Sequence, residues 1–170
     1  ANKWADMTLS LVRKTPGFTP PVASRAIGYA AVTMYEGGVH GMSDYRSLAG
    51  QLNGLTSLPQ PVANQKYNWG LVINAAQQHI LKELFVTTSD ANKSRVDSLK
   101  NSLETELIAA NSEASDVVTR SNDYGVALAK AIWEYSKTDG GHEGYKRNFP
   151  STYVVPKGVG FWEPTENGLK

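Results

Sequence analysis

The three histidines and the absence of cysteine limit the chemistry that this chain can carry out. His40, His79 and His142 lie far apart in the sequence and show no HxxxH or HxxE spacing, so they do not predict a metal site. The 170 residues include no cysteine, which excludes thiolate catalysis, iron–sulfur clusters and disulfides. Because His79 falls on the apolar stripe of a predicted helix, it is interpreted as a structural histidine. We therefore predict neither a metal site nor a catalytic residue in this chain.

Arg25 and Glu36 are the two charged residues most in need of partners. Both belong to one predicted helix, where the positive charge is near the N-terminus and the negative charge near the C-terminus. Each charge therefore opposes the helix dipole, and another part of the protein should compensate it. The compensation is either structural pairing with another element or a contribution of both residues to a cleft.

Residues 139–170 are rich in aromatics and glycine but carry no helical periodicity. Large apolar side chains on irregular backbone need cover, so this segment is expected to pack on the helices or on a further domain. His142 is either a residue at a loop tip or part of a pocket. Tyr145, Trp162 and Glu163 are candidates for the same cleft or seam, and Trp162 with Glu163 could instead line a substrate channel. Self-association through the exposed apolar tail is the other way to cover it, and it would give a homo-oligomer.

Composition narrows the class of protein and of partner. A net charge of +1 without any long basic block argues against a nucleic-acid partner. The sequence also lacks an apolar run long enough to span a membrane. The first residue is Ala1 rather than Met, which is typical of an exported and processed protein, a trimmed chain or a proteolytic piece. Among these, export to the periplasm or cell surface is favoured.

Hydrophobic periodicity predicts five helices, over about residues 3–14, 19–38, 67–85, 90–110 and 114–138. The second is apolar almost all round, which indicates the central and most buried helix. The long segment 42–65 between the second and third helices is expected to pack as ordered coil. After residue 138 the pattern allows at most one short β-hairpin, around Pro156 and Gly158. The prediction is an all-α bundle of about five helices over residues 1–138, followed by an irregular extension over 139–170.

Four strings of sequence, in their order and spacing, resemble a known enzyme superfamily. They are PPVASRAIGYAAVTMYE (20–36), SLAGQLNGL (47–55), NW (68–69) and DGGHEGYKRNFPSTYVVPKGVGFWEPT (139–165). Together they resemble the N-terminal helical half of bacterial proteins of the vanadium-dependent haloperoxidase and type 2 phosphatidic-acid-phosphatase (PAP2) superfamily. The resemblance spans nearly the whole chain.

The resemblance implies a larger helical enzyme whose C-terminal half holds vanadate in haloperoxidases, or the transferred phosphate in phosphatases. The family signature of Lys, Arg-Pro, Ser-Gly-His and a later Arg and His supplies cationic clamps and an axial histidine for that oxyanion. This sequence contains no Arg-Pro and no Ser-Gly-His, and Gly141-His142 lacks the serine. The chain is therefore expected to be an inactive scaffold whose catalytic domain is missing, and whose parent could be of either type. The alternative is a stand-alone helical module that binds a partner.

Overall fold

A computed structural model of the protein describes residues 1–148 and 150–161. The described residues form five α-helices, one short 3-10 helix and no strand, which confirms the predicted all-α fold. The helices are α1 (Asn2–Lys14), α2 (Pro20–Val39), α3 (Trp69–Leu84), α4 (Asp90–Asn111) and α5 (Ser115–Ser136), and the 3-10 helix is Gly144–Lys146. In this part of the chain, no helix combines the length and the apolar character needed to cross a lipid bilayer.

The helix boundaries follow from local sequence signals. Pro20 occupies the first turn of α2, where its missing N–H is not needed. The side chain of Asn68 accepts a hydrogen bond from the Leu71 N–H at the start of α3, and Ser89 caps α4 through the Asn92 N–H. These caps satisfy backbone donors that have no partner inside the helix.

Helix α3 is the centre of the bundle, and it packs against α2, α4 and α5. It packs tightly against α5 at Gly125, where an added Cβ would be only 2.4 Å from the Val72 carbonyl oxygen. The prediction that α2 is the most buried helix was wrong. One face of α2 lies open, with Ile27 41% exposed and Ala31 also accessible, because no helix among the described residues covers it.

The core is built by all five helices together with the coil between α2 and α3. Leu55 and Leu58 in that coil are buried, which confirms that it packs as ordered structure. The indole N–H of Trp4 donates to the Asn74 side-chain oxygen at 3.1 Å, and the Asn74 amide donates to the Lys100 carbonyl oxygen at 2.8 Å. This buried chain of hydrogen bonds links α1, α3 and α4.

The segment after α5 has two parts with different environments. Residues 139–148 pack on the bundle, where the Asn148 side-chain amide donates to the Gly17 carbonyl oxygen at 2.6 Å. The Asn148 side-chain oxygen accepts from the Thr19 hydroxyl at 2.8 Å. Residues 150–161 are exposed and contain turns at 150–153 and 158–161, so the hairpin considered for this region is absent among them. Tyr153 and Val154 are 65% and 82% exposed.

Candidate functional site

The candidate site lies where the end of α5 meets the first half of α2. Arg25 Nε donates to Asp139 Oδ2 at 2.7 Å, and the same guanidinium donates to the Ser136 carbonyl oxygen. The Tyr29 hydroxyl donates to Asp139 Oδ2 at 3.0 Å, and the Arg25 guanidinium lies 4.9 Å from the centre of the Tyr29 ring. The Gly141 N–H donates to Asp139 Oδ1 at 2.8 Å. We call Arg25, Tyr29, Ser136, Asp139 and Gly141 the Arg25 cluster.

Protonation in the Arg25 cluster is set by its hydrogen bonds. Burial works against the charge of Asp139, but hydrogen bonds from Arg25, Gly141 and Tyr29 outweigh it and lower the pKa of this carboxyl. Burial, together with the hydrogen bond to Asp139 and its charge, raises the pKa of Tyr29 to about 12. At neutral pH the carboxylate is therefore ionised, the phenol is protonated, and Arg25 balances the negative charge. A carboxylate stabilised in this way is a poor general base, so the cluster is suited to holding structure together.

Gly141 and His142 fit tightly against the helices. A Cβ on Gly141 would lie 2.7 Å from Arg25 Cδ, so a larger residue would displace the guanidinium. The His142 ring packs edge-on against Trp133 with 5.2 Å between ring centres, and its Nδ1 is buried without a hydrogen-bond partner. Arg147 donates to the carbonyl oxygens of Gly140 and His142 at 3.0 and 2.7 Å. These contacts fix the turn that follows α5.

Tyr145 anchors the same turn through aromatic stacking. Its ring lies 5.9 Å from that of Phe18, which stacks on the buried Phe85 at 4.4 Å. The space enclosed between Arg25, Trp133, Tyr145 and their neighbours has a volume of only about 10 Å³. That is roughly enough for one water molecule and far too small for a substrate.

Glu36 lies far from the Arg25 cluster, near the other end of α2. It is 1% exposed; its Oε2 accepts from the Ser47 hydroxyl at 2.9 Å and its Oε1 from the Leu48 N–H at 2.6 Å. The carboxylate thus holds the coil that follows α2 against the helix. It shares no contact with Arg25.

The structure therefore brings together three of the six candidate residues, Arg25, His142 and Tyr145, and separates Glu36 from them. Trp162 and Glu163 lie outside the described residues. Sequence reasoning missed Asp139 as the partner of Arg25. A signal was present, because Asp139 follows the C-terminus of α5 just as Arg25 lies near the N-terminus of α2, so both charges oppose a helix dipole.

A comparison with solved structures shows that this fold is similar to that of a known enzyme. The chain is similar to the crystal structure of a bacterial vanadium-dependent iodoperoxidase, with 30% sequence identity and a TM-score of 0.65. The match covers 87% of this chain. This helical domain is haloperoxidase-like. The chain spans about a third of the iodoperoxidase, since the match covers 34% of that protein. No protein-family model and no curated protein matches the sequence.

The Arg25 cluster and the neighbouring Arg147 do not fit a vanadate ion. An oxyanion needs free cationic and N–H donors, whereas Arg25 and Arg147 are engaged by the Asp139 carboxylate and by backbone carbonyl oxygens. The Asp139 carboxylate would also repel an anion placed beside Arg25. Residues 1–148 and 150–161 contain no group of three or more His, Cys, Asp or Glu side chains that could hold a metal ion.

Proposed function

We propose that this chain is the N-terminal helical scaffold of a vanadium-dependent haloperoxidase-like enzyme. The oxyanion-binding residues then come from a second, C-terminal domain outside the chain, and the chain alone is inactive. The observation that carries this proposal is the 30% identity to an iodoperoxidase over 87% of this chain but only 34% of that enzyme. The hydrogen bonds already made by Arg25 and Arg147 are consistent with it, because these two side chains are not free to bind an oxyanion.

The exposed segment 150–161 is the surface on which this second domain would pack. Tyr153, Val154 and Phe161 are more than half exposed there, and apolar side chains gathered on irregular backbone are typical of an interface. The Arg25 cluster and the stacked Tyr145 fix the preceding turn on the bundle. The scaffold thus holds one end of the segment in place while its apolar side chains remain available to the partner domain.

The PAP2-type phosphatases are the other branch of the superfamily that the sequence resembles. The solved relative is an iodoperoxidase, which favours halide oxidation over phosphomonoester hydrolysis for the complete enzyme. Fold alone does not choose between these reactions. We therefore propose peroxidase chemistry for the enzyme that contains this domain.

The test compares this chain with the product of the complete reading frame that encodes it. Both are supplied with vanadate and assayed for iodide oxidation by hydrogen peroxide, and separately for hydrolysis of a phosphomonoester. We expect iodide oxidation from the longer product and none from this chain. Tight vanadate binding by this chain, measured calorimetrically, would contradict the scaffold role. A reading frame that stops at Lys170 would favour the stand-alone binding module.

A further inference from the structure

An open cleft lies between the first half of α5 and the coil that precedes α3, away from the Arg25 cluster. Its volume is about 660 Å³, which is within the roughly 300–1,000 Å³ of small-molecule sites. Part of the lining comes from Asp116, Thr119, Asp123 and Ala127 of α5. These residues follow one another at intervals of three or four, so they lie on one face of the helix. We call this cavity the α5 cleft.

The rest of the lining is mainly apolar and aromatic, and it is held in place by hydrogen bonds and ring contacts. The Tyr67 ring stacks on that of Trp69 with 5.4 Å between ring centres, and it meets Tyr124 edge-on at 5.6 Å. The Tyr67 hydroxyl accepts from the Val62 N–H at 3.1 Å, and the Tyr124 hydroxyl donates to the Pro59 carbonyl oxygen at 3.1 Å. This side of the cleft is therefore already formed without a ligand.

The charged side chains of the α5 cleft leave one carboxylate without a partner. Arg120 Nη2 donates to Asp116 Oδ2 at 3.3 Å and to the Lys66 carbonyl oxygen at 3.0 Å, so this guanidinium is occupied and balances the charge of Asp116. Asp123 is exposed, and no residue in 1–148 or 150–161 forms a hydrogen bond or ion pair with its side chain. With two carboxylates and one guanidinium, the cleft carries a net charge of −1 and favours a cation over an anion.

The surface next to Asp123 indicates what kind of cation fits. Ala127 follows Asp123 by one helical turn, so apolar surface lies directly beside the carboxylate. A bare metal ion would use only the carboxylate, and the described residues contain no group of three or more His, Cys, Asp or Glu that could complete its coordination. A cation with a flat apolar body uses both the carboxylate and the apolar lining.

We propose that the α5 cleft is a binding site for a small organic cation, in which an amidinium, guanidinium or ammonium group is attached to a flat apolar body. The cationic group donates hydrogen bonds to the Asp123 carboxylate. The apolar body packs against Ala127 and the exposed Val62. The site goes beyond the proposed scaffold function and does not depend on it, so its failure would leave the scaffold role unchanged.

The probes are benzamidine and benzamide, which have nearly the same shape but differ in that benzamide is neutral. Binding is followed by chemical-shift changes at the backbone amides of Thr119, Asp123 and Ala127. For benzamidine we expect a dissociation constant on the order of 1 mM, given the affinity that so few non-hydrogen atoms can supply. Benzamide should bind at least about threefold more weakly, because it forms no ion pair with the carboxylate, and this difference should shrink at high salt.

Three variants locate the effect. Asp123→Asn should weaken benzamidine binding to the level of benzamide and leave benzamide affinity unchanged. Ala127→Trp should reduce binding of both probes, because the indole fills the apolar part of the cleft. Asp6→Asn is the matched control, since it removes the same charge from an exposed position on α1 outside the cleft, and it should leave both affinities unchanged.

Circular dichroism verifies that each variant is folded. Equal affinity for benzamidine and benzamide in the unmodified protein, or no shift at these three amides with benzamidine, would overturn the proposal. Full benzamidine affinity in Asp123→Asn would overturn it as well.

Discussion

Arg25 and Asp139 form an ion pair with 2.7 Å between Nε and Oδ2, although 114 residues separate them in the chain. The pair joins the second turn of α2 to the residue that starts the turn after α5. Both side chains are largely withdrawn from water, with 17% and 31% exposed. This contact connects the helical bundle to the segment that we propose as an interface.

Loss of either partner should destabilise the fold. We expect Arg25→Met and Asp139→Asn each to lower the free energy of unfolding by about 1–2 kcal/mol. This is less than the cost of breaking a fully buried ion pair, because the Arg25–Asp139 pair still contacts water. The free energy of unfolding of the double variant should fall by less than the sum of the two single decreases, because the second change removes a group that has already lost its partner. Urea unfolding of all four proteins measures this coupling.

The control for this cycle is the more exposed pair of Lys137 and Glu134. Lys137→Met should change stability by less than about 0.5 kcal/mol. Strict additivity between Arg25→Met and Asp139→Asn would contradict a direct contribution of the pair.

His79 should make the fold sensitive to mild acid. Burial lowers its pKa from the ordinary value of 6.5, and Lys130 and Lys82 act in the same direction against the opposing charge of Glu83. Below pH 6.5 the unfolded chain therefore binds more protons at this residue than the folded protein does, so stability falls as pH decreases. We expect unfolding free energy to drop between pH 7.5 and 5.5, and to drop less in His79→Gln. Equal drops in the two proteins would rule out this origin.

The close approach of α3 and α5 makes Gly125 intolerant of a side chain. An alanine Cβ would meet the Val72 carbonyl oxygen at 2.4 Å, and backbone on both helices would have to move. We expect Gly125→Ala to destabilise the protein by about 1–3 kcal/mol, visible as a lower melting temperature. Gly28→Ala on α2 is the matched control, because an added Cβ there meets nothing within 4 Å. It should stabilise the helix by roughly 0.5–1 kcal/mol, and a melting temperature that falls equally in both variants would contradict the packing argument.

The apolar side chains of residues 150–161 should bind an apolar dye or drive self-association. Replacing Tyr153 and Phe161 together by serine should reduce fluorescence of the bound dye, or shift the sedimentation profile toward monomer. Val62→Ser is the control, because Val62 is similarly exposed on the coil between α2 and α3. A monomeric protein with no dye binding would argue against an interface at this segment.

Helix positions could be predicted from the sequence because each helix carries its own periodicity and end signals. Asn68 and Ser89 mark two starts, and apolar residues recur at helical spacing behind them. The relative burial of the helices was harder to predict. An alanine-rich helix such as α2 has small apolar side chains on most faces, so its pattern does not reveal that Ile27 and Ala31 face outward.

The candidate site was predictable only in part, for a related reason. The dipole argument identified Arg25 and Glu36 as charges in need of partners, and the structure supplies partners for both. Their identity depends on long-range packing: Asp139 is distant in sequence, and one partner of Glu36 is the backbone N–H of Leu48. Every residue except proline has a backbone N–H, so the residue types do not indicate which N–H donates to Glu36. Likewise, the sequence does not reveal that the side-chain oxygen of Gln77 is buried without a hydrogen-bond partner, because this depends on how the surrounding helices pack.

The two hydrogen bonds of Asn148 to Gly17 and Thr19 bear on the order in which the protein folds. The turn between α1 and α2 leaves the ribosome early, but its final partner is synthesised about 130 residues later. Closing such a long loop is entropically costly and slows the step that depends on it. The entry to α2 therefore acquires its native hydrogen bonds only after residue 148 has been synthesised.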